Sequence, residues 1–319
     1  MWAKSEPSVI EWRTPPAELK QPRRIYSIIN CRAGTAAAAQ RDAVRQAFAD
    51  YGREDEVESV IEICERPGFL AQLVRKAIAS GADVIAAGGG DGTVSTVANQ
   101  LAGTNVALGV LPFGTLNHFA KDLGIPLDPR EAVEVICRGA IKQVDVGEVN
   151  GLHFINNSSL GVYPEAVRVR ERWRPLVGKW PALLIGALTV LRRFPILRLD
   201  LEVEGARVRR RVPLLYVGNN EYSVEWPDLG GRGRLDEGRL SLWMLREANR
   251  LALLRSAFRL LGGTLHLAPE IEASPIESLT VNSRRRRLRV AVDGEVIPLR
   301  PPLRYRIRPH ALNVCIPVA

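Results

Sequence analysis

The order of apolar segments in the first half of the chain restricts its fold more than any other feature. Apolar runs of strand length alternate there with stretches of helical periodicity. The predicted strands are Ile25–Ile29, Val57–Cys64, Asp83–Ala87 and Ala107–Leu111, and the predicted helices cover residues 36–51, 69–80 and 94–101. Such alternation is typical of a parallel sheet covered by helices. We therefore predict an α/β, Rossmann-like domain with a parallel sheet over residues 23–143.

The second half of the chain has a different pattern. Segments with a period of two residues, the period of strands with one buried face, are separated by turn residues. They are Leu199–Glu204, Val212–Val217 and Leu240–Leu245. Two helical segments, at about 164–194 and 249–262, interrupt them. This pattern predicts a β-rich second domain over residues 144–302.

Three glycine-bearing turns follow predicted strands of the first domain. The most pronounced is Gly88–Thr93, which comes directly after a strand and directly before a helix. Glycine lets backbone N–H groups approach an anion closely, and the N-terminus of the next helix adds a partial positive charge. The turns at 30–35 and 111–117 fall at the same edge of a parallel sheet, where ligands of α/β proteins bind. One such turn alone is compatible with an ordinary strand–helix connection, whereas three predict a phosphate-binding site, although not the GxxxxGK[ST] loop of P-loop enzymes.

The charge balance of the chain indicates an anionic partner. Its 319 residues include 44 Lys and Arg against 35 Asp and Glu, a formal net charge of +9. Such an excess favours nucleic acid or an anionic membrane surface. Aromatic residues make up only 6% and do not interleave with the basic clusters, so stacking on bases is poorly supported. We therefore expect peripheral contact with an anionic membrane and no nucleic acid partner.

Neither a secretory signal nor a membrane-spanning segment is expected. Residues 1–22 contain charges and prolines but no apolar core of a signal peptide. The longest uncharged apolar run, Trp180–Leu191, is shorter than the roughly 20 residues that span a bilayer. The four cysteines form no CxxC pair, so neither zinc nor a disulfide framework is expected. These features predict a cytoplasmic protein at the inner face of the membrane.

Four short motifs together resemble the diacylglycerol kinase catalytic family, which includes bacterial lipid kinases and sphingosine kinases and shares a fold ancestry with NAD kinases. They are GGDGT at 89–93, LPxGTxN at 111–117, LDEG at 235–238 and DGE at 293–295, in the order of the family. The resemblance covers about residues 24–318. It implies that the second domain is a β-sandwich that carries the acceptor site, and that a final strand near 303–317 returns to the first domain.

The resemblance also implies a reaction and its residues. The expected reaction is transfer of the γ-phosphate of ATP, with Mg²⁺, to a hydroxyl group of a membrane lipid. By analogy, Glu295 is the catalytic base, Asp293 positions the site, and Asp91 influences the catalytic Mg²⁺. A second metal loop would use Glu237 with the carbonyl groups of Arg234 and Arg239. The residues expected to contact ATP are Asn30, Gly34, Gly88, Gly89, Gly90, Asp91, Gly92, Thr93, Gly114, Thr115 and Asn117.

The chain departs from the family at four positions of these motifs and their surroundings. Cys31 stands where the family usually has proline, and Thr96 where a glutamate is common. His118 replaces an aspartate, and Cys64 lies near a threonine position that contacts the nucleotide. These departures indicate a divergent subfamily.

Two basic segments have more than one interpretation. Residues 164–194 combine arginines with Trp173 and Trp180 around an apolar run, which is typical of a membrane-interface segment but equally of a helix pair that covers the second domain's sheet. Residues 283–289 resemble a nuclear localisation signal, but we expect a solvated strand edge. The sequence does not fix the oligomeric state, and a homodimer is among the expected states.

Two alternative functions stay open at the level of sequence. One is a kinase of a soluble substrate, as in the related NAD kinases. The other is a catalytically silent lipid-binding protein. The Trp- and Arg-rich segment at 164–194 favours a lipid over a soluble acceptor.

Overall fold

The structure is a computed structural model that describes residues 24–30, 37–55, 57–222, 231–245 and 271–318. Gly34, Cys31 and the predicted helix at 249–262 lie outside the described residues. The described chain divides into two compact units. The first comprises the residues up to Val146, Gly233–Glu237 and those from Pro309 onward; the second comprises those of Gly147–Arg232 and Gly238–Arg308.

The first unit is built on a parallel sheet flanked by helices, as the alternating pattern predicts. Its strands lie in the order β2-β1-β3-β4, and the end of strand β16 lies beside β4, parallel to it, with Val314 opposite Leu108. The strands are β1 (Arg24–Asn30), β2 (Glu58–Cys64), β3 (Val84–Gly89) and β4 (Ala107–Pro112), and the helices are α1 (Ala37–Glu54), α2 (Leu70–Ala79), α3 (Asp91–Leu101), α4 (His118–Asp122) and α5 (Pro129–Arg138), with a 3₁₀ turn at Pro67–Phe69. Every residue of β3 and β4 is buried, as expected for central strands that helices cover on both faces.

Two strands connect the units through the covalent chain. Strand β5 (Ala140–Val149) begins in the first unit and ends in the second, and β16 (Leu303–Ile316) runs from the second into the first. Helix α5, which leads into β5, begins with an N-cap: the carboxylate of Asp128 accepts hydrogen bonds from the N–H groups of Arg130 and Glu131, and Pro129 occupies the first helical position.

The second unit is a β-sandwich with two antiparallel layers. One layer has the order β12-β11-β10-β7-β14-β15, and in the other the beginning of β16 pairs with β13, which pairs in turn with β8 and then β9. Its elements are β6 (Leu152–Phe154), β7 (Asn157–Gly161), α6 (Val162–Val177), α7 (Lys179–Arg193), β8 (Leu197–Val203), β9 (Ala206–Val212), β10 (Leu214–Asn219), β11 (Leu240–Leu245), β12 (Ile271–Ile276), β13 (Ser278–Asn282), β14 (Leu288–Val292) and β15 (Glu295–Leu299). Both layers contribute to one apolar core, for example Leu199 and Leu279 from one and Leu215 and Val290 from the other. The predicted fold class, a parallel α/β domain followed by a β-sandwich, is confirmed.

Two local predictions for the second unit are wrong. The predicted strand Val212–Val217 is divided at Pro213, where β9 ends and β10 begins, because proline has no N–H to continue a ladder and its carbonyl instead accepts a hydrogen bond from Val162 N at 2.9 Å. The strand edge predicted for the basic run at 283–289 is mostly a loop. Residues 283–287 form an exposed loop between β13 and β14, and only Leu288 and Arg289 belong to a strand.

The helical segment predicted at 164–194 is a hairpin of two helices. Gly178, with φ of 81°, separates α6 from α7, and this left-handed conformation favours glycine. The helices pack closely, because a Cβ on Gly186 of α7 would lie 3.0 Å from the carbonyl oxygen of Ala166 of α6. Among the described helices, none is both long and apolar enough to cross a membrane.

Candidate functional site

The turn from β3 into α3 exposes the beginning of a helix to an anion. Gly90 is the N-cap residue of α3 and supplies no side-chain cap. Its carbonyl accepts hydrogen bonds from the N–H groups of Thr93 and Val94 at 2.8 and 3.2 Å, whereas the N–H groups of Asp91 and Gly92 have no acceptor within the helix. Gly89 is required sterically, since a Cβ there would lie 2.4 Å from the hydroxyl of Thr93. The turn therefore offers free backbone donors and the positive end of the helix dipole at one point.

The turn after β4 and Asn30, the described residue of the turn after β1, both contact this turn. The side-chain amide of Asn30, at the end of β1, donates a hydrogen bond to the hydroxyl of Thr93 at 3.1 Å. The turn after β4 approaches even more closely, because a Cβ on Gly114 would lie 2.6 Å from the Cα of Gly90. Glycines on both sides thus allow two backbone turns to meet. The structure thus brings the turns at 88–93 and 111–117 together, with Asn30, the described residue of the turn at 30–35, bonded to the first of them.

Asn117 holds the turn after β4 in shape. It adopts the left-handed conformation with φ of 50°, and its side chain is buried. Its carbonyl oxygen accepts from Gly114 N at 2.9 Å, and its amide donates to the carbonyls of Pro112 (3.2 Å) and Gly114 (3.0 Å). The Asn117 side chain is therefore fully hydrogen-bonded to the backbone of the turn, whereas Thr115 is exposed. Of these two predicted ATP contacts, the structure leaves Thr115 available and gives Asn117 a positioning role.

Asp91 is the acidic side chain of this region. It opens α3, is partly exposed, and makes no side-chain hydrogen bond or ion pair with another described residue. A carboxylate at a helix N-terminus is stabilised by the helix dipole. Mg²⁺ prefers oxygen ligands and is often held by one or two carboxylates together with waters and substrate phosphates. An unpaired carboxylate beside free N–H donors fits that chemistry.

In the second unit, Asp293 and Glu295 lie at the turn between β14 and β15. Asp293 and Gly294 have φ of 45° and 85°, the positive values that a type I′ hairpin turn needs at both central residues. The Asp293 carboxylate accepts hydrogen bonds from the N–H groups of three consecutive residues, 155, 156 and 157, at 3.0, 2.9 and 3.0 Å. Glu295 is exposed, and its carboxylate has no partner among the described residues. The two acids therefore differ: Asp293 is structurally engaged and Glu295 is available.

A buried arginine that the sequence did not single out holds the same backbone segment as Asp293. The guanidinium of Arg232 donates to the carbonyl of Ile155 at 2.5 Å and to the side-chain oxygen of Asn156 at 2.9 Å, and it lies 5.3 Å from the ring centre of Tyr222. Asp293 thus fixes the N–H groups of the connection from β6 to β7, and Arg232 fixes its acceptors. In the sequence this arginine resembles the many exposed ones around it.

The predicted metal loop has one buried and one accessible acid. Asp236 is fully buried and pairs with Lys142, with an N–O distance of 3.1 Å. Glu237 is partly exposed, and the carbonyl of Arg239 accepts a hydrogen bond from Asn220 N at 3.1 Å. The described residues contain no group of three or more His, Cys, Asp and Glu side chains that could hold a metal. A set of one carboxylate and the carbonyls of Arg234 and Arg239 stays a prediction.

Comparisons with known proteins agree with this architecture. Residues 24–149 match the family model of the diacylglycerol kinase catalytic domain, and residues 159–316 match that of the YegS C-terminal NAD kinase beta sandwich-like domain. A Pseudomonas aeruginosa PAO1 protein that carries the name lipid kinase YegS-like is 31% identical over 88% of this chain and 91% of its own length. This chain belongs to the diacylglycerol kinase family. Its members are phosphotransferases that use an alcohol group as acceptor.

Two further comparisons show more distant similarity. A diacylglycerol kinase of Staphylococcus haemolyticus is 28% identical over 79% of this chain and 77% of that protein. A crystal structure of a Bacillus anthracis str. Sterne protein superposes with a TM-score of 0.73 at 22% identity and covers 93% of this chain and 99% of that one. At that identity the superposition shows a shared fold.

Three of the departures from the family's usual residues fall on described positions. The thiol of Cys64 is buried and contacts the carbonyl of Arg66 at 3.1 Å. The Thr96 hydroxyl donates to the carbonyl of Gly92, four residues earlier, at 2.7 Å. His118 is exposed at the first position of α4. None of the three disturbs the close contact between the turns at Gly90 and Gly114.

Proposed function

We propose that this chain is an ATP-dependent lipid kinase, which transfers the γ-phosphate of ATP to a hydroxyl group of diacylglycerol or a similar membrane lipid. The observation that carries the proposal is the close approach of the glycine-bearing turns at 88–93 and 111–117 at the carboxyl edge of the parallel sheet, with Asn30 at the end of β1 bonded to Thr93. Family membership gives the class of reaction, and these turns are the phosphate site that we propose for it.

Phosphoryl transfer depends mainly on positioning and on charge stabilisation. The free N–H groups at the start of α3 would bind phosphate oxygens, and the link from Asn30 to Thr93 fixes the end of β1 beside them. Mg²⁺, when bound, would neutralise charge on the phosphates, and Asp91 is the residue placed to hold it. The buried amide of Asn117 keeps the third turn rigid, so that the donors are held in place before the substrate arrives.

The acceptor hydroxyl needs a group that takes its proton. Glu295 suits this role because it is exposed, carries no partner among the described residues and stands on a tight hairpin. Asp293 does not suit it, since three backbone N–H groups already occupy its carboxylate. We therefore assign Glu295 as the general base and Asp293 as the residue that positions the turn.

The helical hairpin supports a lipid rather than a soluble acceptor. Its tip exposes large apolar side chains, with Leu176 75% and Trp180 73% accessible. Arg172 and Arg174 are exposed on the last turns of α6. Helices with tryptophan and leucine beside basic residues bind at the interface of anionic membranes. We propose that the hairpin holds the enzyme peripherally on the cytoplasmic face, and that this surface distinguishes it from NAD kinase-type enzymes.

The test is transfer of radiolabel from γ-labelled ATP to lipid. Purified protein would be incubated with MgATP and mixed micelles that contain diacylglycerol, phosphatidylglycerol or total membrane lipid, and NAD would serve as the soluble acceptor. Labelled lipid that is lost with Asp91→Asn would support the proposal. Label in NAD alone would favour the soluble-substrate alternative. No label with any acceptor would favour a catalytically silent lipid-binding protein.

A further inference from the structure

A cavity at the base of the helical hairpin has a wall rich in arginine. Its volume is about 430 Å³, and it lies wholly within the second unit. The start of α6, the end of α7, and the loop and strand that follow β13 all contribute to it. The lining residues with a charge are Arg193, Arg285, Arg287, Arg289 and Glu165. Four guanidinium groups therefore share one concave surface with a single carboxylate.

Glu165 leaves most of this positive charge uncompensated. Its carboxylate is only 13% exposed and is bound first by Arg168, a neighbour on α6, at 2.5 Å. Arg289 and Arg193 approach the same carboxylate at longer distances of 3.4 and 3.6 Å. Because Arg168 already satisfies Glu165, these longer contacts can be exchanged for a bound anion without stranding the carboxylate.

The loop between β13 and β14 contributes its arginines selectively. Arg285 and Arg287 line the cavity and form no ion pair with another described residue. Arg284 and Arg286, from the same exposed loop, do not line it. A merely solvated basic loop has no need to turn alternate side chains into a cavity where like charges repel one another. The alternation instead indicates a concave site for an anion.

We propose that this cavity binds the phosphate group of a small anionic ligand. The guanidinium group is planar and presents several N–H donors in a fork that matches phosphate oxygens, so arginine is the side chain suited to bidentate phosphate recognition. Arg285 and Arg287, which form no ion pair with another described residue, would donate to the phosphate. Arg193 and Arg289 would turn from Glu165 to complete the site. The cavity has room for a phosphate together with a small organic group such as glycerol. A soluble phosphate ester and the head group of a phospholipid share this chemistry.

The experiment compares two double variants of the full chain with the wild type. Arg285→Gln/Arg287→Gln removes two charges from the cavity wall. Arg284→Gln/Arg286→Gln removes two charges from the same loop outside the cavity and is the matched control. Glycerol 3-phosphate is titrated by calorimetry as the soluble probe. Co-sedimentation with phosphatidylcholine vesicles, with and without phosphatidic acid, is the lipid probe.

We expect the cavity variant to bind its probe at least about 10-fold more weakly, since a hydrogen bond to a charged group contributes roughly one factor of ten or more. The control variant should change binding by less than about 2-fold, as surface charges act weakly. If the cavity variant loses binding of glycerol 3-phosphate, the ligand is a soluble phosphate ester. If it loses only the binding of vesicles that contain phosphatidic acid, the ligand is a lipid head group. Equal losses in both variants would show general charge attraction and overturn the site. Binding of neither probe by the wild type would overturn it as well.

Discussion

Replacing Asp91 should reduce activity without reducing stability. Its carboxylate has no partner among the described residues, so that Asp91→Asn breaks no contact within the described fold. The substitution removes the charge expected to hold Mg²⁺ beside the phosphates. We expect lipid phosphorylation to fall by about 10²-fold or more, the scale for losing one electrostatic contribution to the transition state, with an unchanged melting temperature.

Asp128→Asn is the control for this prediction. Asp128 also stands at the beginning of a helix in the first unit, where it caps α5, and asparagine caps helices nearly as well as aspartate. Its turnover should stay near that of the wild type. The prediction is tested by measuring steady-state turnover and thermal unfolding of both variants. Wild-type turnover in Asp91→Asn would show that Asp91 has no role in catalysis.

The two acids of the β14–β15 turn should behave differently when their charge is removed. Glu295→Gln preserves size but does not accept a proton, and general-base assistance contributes about 10²–10⁴-fold to rate. We expect at least about a 10²-fold loss of lipid phosphorylation without loss of stability, because Glu295 is exposed and unpaired among the described residues. Calorimetric titration with ATP should show little change in affinity. Near-normal turnover would show that Glu295 is not the base.

Asp293→Asn should cost stability as well as rate. The carboxylate accepts three backbone hydrogen bonds, and an amide has only one oxygen with which to accept them. Leaving buried donors without a partner costs about 1–3 kcal/mol, which denaturant titration can measure. An unchanged free energy of unfolding in Asp293→Asn would show that the three hydrogen bonds are not formed in solution.

At the scale of elements, the first four strands and first three helices of the first unit could be predicted because periodicity and glycine positions agree there, whereas α4, α5 and β5 were not predicted. The observed β3 and α3 lie within a few residues of the predicted Asp83–Ala87 and 94–101. The approach of the turns at 88–93 and 111–117 follows from the rule that the carboxyl ends of parallel strands lie at one edge of the sheet. The packing of Gly90 against Gly114 and the engagement of Asn117 do not, because both depend on side-chain and backbone contacts between different turns.

The exposed apolar side chains at the tip of the helical hairpin should contribute to membrane binding but little to folding. Replacing Leu176 and Trp180 with serine removes exposed apolar surface at the tip, so folding should be little affected. At about 25 cal/mol for each Å² of apolar surface withdrawn from water, each side chain contributes roughly 1.5–3 kcal/mol to membrane insertion. Co-sedimentation with anionic vesicles should therefore fall about 10-fold or more. Leu127→Ser, which alters an exposed leucine of the first unit, is the control.

The basic part of the tip should respond to salt. Replacing Arg170, Arg172 and Arg174 with glutamine should weaken vesicle binding further, and raising the ionic strength should reduce the difference between variants, since exposed charges are screened over about 8 Å in physiological salt. Vesicle binding that neither the apolar nor the basic replacements change would show that the hairpin is not the membrane contact.

At the scale of the whole molecule, the order of the two architectures was predictable but the interruptions were not. Periodicity predicts the sandwich strands, but the period of two continues through Pro213, so that it does not reveal the break between β9 and β10 there. The sequence of the arginine-rich loop at 283–287 does not show that alternate arginines line a cavity, because that arrangement depends on tertiary packing. Charge placement is decided by packing, which explains why Arg232 and the cavity arginines could not be distinguished from surface residues in the sequence.

Two carboxylates of the second unit make its stability depend on pH. The hydrogen bond from Arg168 lowers the pKa of Glu165 and outweighs the opposing effect of burial. Burial, the largest single effect, raises the pKa of Glu148, but the hydrogen bond from Arg306 at 2.8 Å and the charges of Arg306, His153 and Arg308 together outweigh it, so this pKa is also lowered. A carboxylate whose folded-state pKa lies below its unfolded value stabilises the fold above the unfolded value, near 4.3, and loses that contribution as the pH falls through the folded-state pKa.

The free energy of unfolding should therefore be level from about pH 7 to pH 5 and then decrease on further acidification. Glu165→Gln should lower it by about 1–3 kcal/mol at pH 7, because a hydrogen bond to a charged group is lost and three arginines are left around a neutral side chain. The same variant should show a shallower decrease below pH 4.3, since one of the protonating groups is gone. Glu171→Gln, on the exposed side of α6, should retain the wild-type slope. Denaturant titrations at several pH values distinguish these outcomes, and an unaltered slope in Glu165→Gln would mean that the Arg168 contact does not hold the carboxylate ionised in solution.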